Sequence, residues 1–168
     1  MNNIKYRPAE MSDLPKIIGL VSFAILEMEK NGIHQWDELY PTPEDFSADI
    51  SCGELYVGTD GGKIAVIYTL NQLCDDEYKN GRWQYPNEPF AVIHRLCVSP
   101  EFQHRGIAAK TVLHIEEQLH KQGIKVIRLD VFTENPYALR LYEKLGFKET
   151  GKVKWRKGDF FLMEKYIG

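Results

Sequence analysis

The sequence predicts a mixed α/β fold, and three observations carry that expectation. An apolar, β-branched run at 91–98 leads through a short turn into an amphipathic helix. A Gly-Gly turn joins two strand-like segments, and strand and helix patterns alternate along the rest of the chain. In chain order, 4–7 reads as a short first strand. Ser12 is the expected cap of a helix whose Leu14, Ile18, Val21, Ile25 and Met28 follow helical spacing, with Gly32 as its stop. Thr42-Pro43-Glu44-Asp45 opens a second helix, Thr42 capping and Pro43 in the first turn, and Gly53 ends it. Residues 54–59 and 63–72 are two strands joined at Asp60-Gly61-Gly62, a hairpin signal. From 73 to 90 the chain turns polar and aromatic, with Asp75, Asp76, Glu77, Tyr78, Trp83 and Tyr85; loops of that length are usually functional or disordered. Beyond 98, Ala108, Val112, Ile115 and Leu119 form the stripe of a helix laid on a sheet, and Gly123 stops it. A strand at 125–131, a helix after Asn135 and an antiparallel pair at 147–154 and 160–166 around Lys157-Gly158-Asp159 complete the chain.

Composition narrows the class. With 168 residues and 43% hydrophobic content, the chain buries a core without disulfides or metal and is expected to form a single domain, 1–168. Its 24 acidic and 21 basic residues give a net charge of −3, with the basic ones scattered, which argues against a nucleic-acid or anionic-membrane footprint. The cysteines, Cys52, Cys74 and Cys97, are far apart and contain no C-x-x-C, so neither a disulfide framework nor a zinc site is expected. Residues 1–7 lack an apolar signal core, and no apolar run approaches the roughly 18 residues that span a bilayer. A soluble, cytoplasmic protein is the expectation.

The segment Gln103-His104-Arg105-Gly106-Ile107-Ala108 lies between the 91–98 strand and its helix, where backbone N–H groups have no intrahelical acceptor and the helix dipole adds partial positive charge. Such a turn receives an anion, and Gly106 lets a phosphate approach the backbone. The dipole supplies only about 0.3–1 kcal/mol, so several N–H groups and Arg105 must act together. The sequence has neither the Gly-Lys-Ser/Thr ending of a P-loop nor the three glycines of a dinucleotide fingerprint.

This order resembles the GNAT superfamily of N-acetyltransferases, whose acetyl-CoA signature is Q/R-x-x-G-x-G/A after an apolar strand and before a long helix. The match extends to Asn135-Pro136-Tyr137-Ala138-Leu139-Arg140-Leu141-Tyr142-Glu143-Lys144-Leu145-Gly146-Phe147, which is similar to that family's N-x-x-A-x-x-L-Y-x-x-x-G-F. Motif identity is confined to about residues 91–147, and Ala108 stands in the place of the more frequent second glycine. The resemblance implies a central, mainly antiparallel mixed sheet of about seven strands flanked by helices, with a splayed pair of strands holding the cofactor. It also implies transfer of acetyl from acetyl-CoA to a primary amine of a small molecule by direct attack, without a metal. Two alternatives stand beside it: acetylation of a protein or peptide N-terminus, and a non-catalytic acyl-CoA-binding module. Homodimerisation is a further implication that no heptad in the chain establishes.

The site residues follow from the match. Tyr142 takes the place of the family's general acid, donating its phenolic proton to the departing thiolate; packing on one helix face is the plain alternative. Asn135 is a helix cap, a hand on the pantetheine arm, or both. Leu96, Cys97 and Val98 offer backbone groups to pantetheine like an added strand, and Gln103 to Ala108 hold the diphosphate. Cys97 reads as a core residue rather than a nucleophile. His94 is the candidate base, with Glu27, Glu54, Glu88 and Asp130 as groups that act through water. For the acceptor, Trp36, Tyr40, Trp83 and Tyr85 form a candidate aromatic wall, with Asp37, Glu38, Asp75 or Glu88 attracting its charge.

Overall fold

The computed structural model describes residues 3–168. Seven strands form one sheet in the order β1-β2-β3-β4-β5-β7-β6, where β1 is Lys5–Pro8, β2 Leu55–Asp60, β3 Lys63–Asn71, β4 Phe90–Val98, β5 Val126–Phe132, β6 Lys148–Trp155 and β7 Gly158–Tyr166. The pairs β1–β2, β2–β3, β5–β7 and β6–β7 are antiparallel, and β4 runs parallel to β5. Four helices accompany it: α1 Leu14–Lys30, α2 Pro43–Ser51, α3 Ile107–Lys121 and α4 Pro136–Lys144. The expected mixed fold with a mainly antiparallel sheet of seven strands is what the chain adopts.

By its internal contacts the chain divides into two compact units. One comprises the chain up to Leu70 with Arg95–Thr111; the other comprises Asn71–His94 with Val112–Gly168.

In the first unit, the apolar stripe of α1 (Ile17, Leu20, Val21, Ala24) joins Phe46 and Ile50 of α2 against Leu55, Val57 and Ile67 of the sheet. Each of the larger of these side chains contributes about 1.5–3 kcal/mol relative to exposure. The hairpin is as expected: Gly61 and Gly62 both take positive φ (56° and 80°), which a two-residue turn between right-twisted strands requires. Thr42 caps α2, its hydroxyl accepting from the Asp45 N–H while the Asp45 carboxylate accepts from the Thr42 N–H. Ser12, by contrast, does not cap α1. A short 3-10 turn, Met11–Asp13, precedes the helix, and the Asp13 carboxylate accepts from the Glu10 N–H at 2.8 Å and from both Arg7 Nη atoms at 2.7 and 2.9 Å. A charged carboxylate satisfies those donors more strongly than a hydroxyl does.

In the second unit, β7 lies between β5 and β6, so Leu129 faces Met163 and Phe132 faces Phe160 across the register. The stretch expected to be a long loop contains a 3-10 turn, Asp76–Asn80, and is tied down at several points. Arg82 N–H donates to Thr150 O at 2.7 Å, Gln84 N–H to Glu164 Oε1 at 2.8 Å, and Tyr78 Oη to Asp130 Oδ2 at 2.6 Å. Arg128 pairs with Glu164 and lies over the rings of Trp83 and Phe90, at 4.5 and 4.3 Å. A buried charge sandwiched in this way needs its counterion, and Glu164 is buried beside it.

Candidate active site

The first unit carries the turn that the sequence offers as an anion cradle. Pro100–Phe102 forms a 3-10 turn after β4, and buried Phe102 and Ile107 anchor the loop at both ends in a cluster with Ala65, Val66, Leu96 and Val98. Between those anchors, Gln103 to Gly106 are exposed. His104 and Gly106 both adopt left-handed backbone, φ 64° and 71°, on either side of Arg105. A turn of this kind aims successive N–H groups to one side. The first helical bond of α3 runs from Lys110 N–H to Gly106 O at 3.1 Å, so the N–H groups of Ile107, Ala108 and Ala109 have no acceptor one turn back. A Cβ placed on Gly106 would meet nothing within 4 Å; the backbone angle rather than crowding by the protein demands glycine there. These features fit a diphosphate. Arg105 is partly committed: its Nη2 donates to Glu101 O at 3.0 Å and its guanidinium lies 5.1 Å from the Phe102 ring. The stripe of α3 begins at buried Ile107 rather than at Ala108, which is only partly buried.

Ahead of the cradle, β4 changes character. Its parallel pairing with β5 runs from Phe90↔Val126 to Val92↔Arg128 and no further, and Arg95 takes φ 54°. Left-handed backbone at a non-glycine residue costs about 1–2 kcal/mol and persists only where its surroundings enforce it. Arg95 is held by an ion pair to Asp49 of α2 and lies 5.4 Å from the Tyr40 ring. Asp49 also accepts from Thr69 Oγ1 at 2.8 Å. Neither Arg95 nor Asp49 was singled out from sequence; both read as ordinary charges, and only the fold joins residues 46 positions apart. Leu96 and Val98 are half-buried, and Cys97 is buried in the core shared by α1 and α2. Burial pushes the Cys97 thiol up to about 12, which leaves it protonated and a poor nucleophile at neutral pH. Of the proposed aromatic residues in this unit, Trp36 is buried in that same core at 8% exposure, whereas Tyr40 is 41% exposed.

The second unit carries the residues that the sequence offers as candidate acid and base. Asn135 caps α4, its Oδ1 accepting from the Ala138 N–H at 3.1 Å, with Pro136 in the first helical turn. Tyr142 is 8% exposed, edge-on to Phe147 at 5.5 Å. Burial, and then the charge of Asp130, raise its phenol above the usual range. Asp130 accepts from Tyr78, whose own phenol is raised by burial and by that same carboxylate. Tyr78 was noted in the sequence only as part of a polar loop; an aromatic residue within an acidic stretch gave no sign that it is buried. His94 Nε2 is 2.9 Å from both Asn71 Oδ1 and Leu73 O. Trp83 donates its indole N–H to Tyr78 O at 2.8 Å, and Tyr85 stacks on Tyr166 at 4.7 Å. Among the described residues no group of three His, Cys, Asp or Glu is placed to hold a metal ion, and no helix is long and apolar enough to cross a membrane.

The model of the acetyltransferase (GNAT) family matches residues 26–147, and the chain belongs to that family. Ribosomal protein bS18-alanine N-acetyltransferase of Escherichia coli (strain K12) is 30% identical over 100 residues, 58% of this chain and 58% of that protein. The chain thus matches a little over half the length of this curated relative. Spermidine N(1)-acetyltransferase of Thermoplasma acidophilum is 36% identical over 75 residues, 45% of this chain and 44% of that protein. Among solved structures, a GNAT-family acetyltransferase of Streptococcus agalactiae superposes with a TM-score of 0.85 at 26% identity, covering 99% of this chain and 97% of that one.

Proposed function

We propose that this protein transfers the acetyl group of acetyl-CoA to a primary amine of a small-molecule acceptor by direct attack. The observation that carries the reading is the cradle: left-handed His104 and Gly106 opening α3, whose first N–H groups have no acceptor of their own. In this reading those N–H groups, with Gln103 and Arg105, hold the CoA diphosphate. The backbone of Leu96, Cys97 and Val98 pairs with pantetheine where β4 no longer pairs with β5, and the Asn135 amide steadies the same arm while capping α4.

Catalysis rests mainly on positioning the amine against the thioester. His94 removes one proton from the acceptor ammonium, whose neutral nitrogen attacks the thioester carbonyl; as the C–S bond breaks, the nitrogen gives up its second proton to solvent, and Tyr142 gives its proton to the departing thiolate and recovers one from solvent. The raised phenol keeps Tyr142 protonated at neutral pH. The protonated state of Cys97 favours direct transfer over an acetyl-cysteine route. Tyr40, exposed beside Arg95, together with Trp83 and Tyr85, is assigned to the acceptor side, while Trp36 supports it from the core.

A second reading, acetylation of a peptide or protein N-terminus, is favoured by the similarity to the bS18-alanine enzyme. The test is release of CoA thiol from acetyl-CoA across amino acids, polyamines, aminoglycosides and short peptides, with binding measured in parallel. Release dependent on a small amine supports the proposal, and release dependent only on peptides selects the second reading. Tight binding with no release would identify a binding module instead.

A further inference from the structure

We propose that Asn71 is a positioning residue that fixes His94 in the tautomer carrying its proton on Nε2, so that Nδ1 is the ring nitrogen that accepts the substrate proton. The proposal rests on the reading of His94 as the base.

Three hydrogen bonds determine the assignment. The Leu73 N–H donates to Asn71 Oδ1 at 2.9 Å, closing an Asx turn where β3 ends. A backbone N–H only donates, so the Asn71 atom facing it is the oxygen, and the orientation of that amide is settled. His94 Nε2 then lies 2.9 Å from that same Oδ1 and 2.9 Å from the Leu73 carbonyl oxygen. Both partners are pure acceptors. A bare Nε2 lone pair would face two oxygens, whereas an N–H there satisfies both, so Nε2 carries hydrogen whether the ring is neutral or charged. In the neutral ring the basic nitrogen is therefore Nδ1.

This arrangement suits a base. On proton transfer, one N–H bond of the acceptor ammonium breaks and the proton bonds to Nδ1; the freed amine lone pair attacks the thioester carbonyl, and the ring becomes imidazolium. Its Nε2–H is already aimed at two oxygens, and charge strengthens both bonds. The anchor comes from residues 71–73, which open the segment leading to Tyr78, Trp83 and Tyr85, so the base is set by the end of β3 and the start of that loop. The charged groups on the bordering strands β4 and β5 are paired. On β5, Arg128 pairs with Glu164 and Asp130 accepts from Tyr78; Arg95, next along β4, pairs with Asp49. Cys74, Asp75, Asp76 and Glu77 follow Leu73, and Asp76 pairs with Lys79.

The experiment is long-range nitrogen–proton correlation spectroscopy of the full chain labelled in its histidine rings, with the His94 signal assigned by its loss in His94→Gln. The wild-type ring, when neutral, is expected as the Nε2–H tautomer. Asn71→Leu is expected to admit the Nδ1–H form. Asn71→Asp keeps the acceptor oxygen and adds charge, so it should raise the titration midpoint of His94 by about 1 pH unit or more. The acidic limb of kcat/KM should move to higher pH by the same amount, about a tenfold loss on that limb. An Nδ1–H tautomer in the wild type, or tautomer and titration unmoved in both Asn71 variants, overturns the proposal. If instead the spectra come out as expected but His94→Gln retains turnover with an unaltered pH profile, the base reading itself has failed, and with it the catalytic meaning of the tautomer.

Discussion

Tyr142 is the proposed acid. Burial and Asp130 keep its proton in place, and its ring also packs on Phe147, so both alternatives read from its helix face are compatible with what it touches. Tyr142→Phe preserves the ring packing and removes the proton; turnover should fall on the order of 100-fold while acetyl-CoA affinity holds. Stopped turnover assays and calorimetry measure the two effects separately, and unchanged turnover would remove the assignment. A different residue sets acid stability. The Asp13 carboxyl is held below its ordinary range, first by its hydrogen bond to Arg7. A depressed folded value means that its contribution is fully present above the unfolded pKa of about 3.9 and fades as pH falls through the lower folded one. Asp13→Asn should therefore lower stability by about 1–3 kcal/mol at neutral pH, and the gap to wild type should close in acid. Urea melts at neutral pH and near pH 3 report both halves of that expectation.

At the scale of the elements, the cradle depends on backbone shape. Gly106→Val forces a β-branched residue to φ 71°, at a folding cost of roughly 1–2 kcal/mol, since nothing lies within 4 Å for its Cβ to strike. Its effect on acetyl-CoA affinity should be larger than that cost, because a valine relaxing away from left-handed backbone turns the N–H groups aside. Calorimetric titration alongside a chemical melt separates the two; an affinity equal to wild type would show that the loop does not hold the diphosphate. The cradle and α4 were legible in the sequence because their signals are local: glycine at a strand-to-helix turn, Asn135 ahead of Pro136, apolar residues at helical spacing. The cap of α1 was not. Ser12 has the right side chain, but Asp13 competes with two guanidinium bonds that depend on Arg7 in β1. The long loop was legible as a loop, but the contacts that tie it down were not, since they come from Asp130, Thr150 and Glu164, far along the chain.

For the molecule as a whole, alternating strand and helix signals gave the fold class and the number of strands, but not the placement of β7 between β5 and β6, which is set by pairing between distant segments. The segments that carry the two sequence motifs were readable because each is a short stretch whose local geometry is fixed by its own residues. Asn71, Tyr78, Asp49 and Arg95 acquire meaning only through partners remote in sequence. A ligand that binds the folded chain alone raises its stability by mass action, about 2.7 kcal/mol at a hundredfold excess over Kd. Acetyl-CoA should therefore raise the melting temperature of the wild type and do so less for Gly106→Val, as read by thermal unfolding with increasing ligand. The most direct test of the central claim is to incubate the protein with isotopically labelled acetyl-CoA and a mixed pool of small amines and peptides, and to follow the label by mass spectrometry. The account predicts label on the primary amine of a small molecule, with none retained on Cys97. Label on the enzyme as an acetyl-cysteine intermediate, or on no acceptor while acetyl-CoA remains bound and intact, would contradict it.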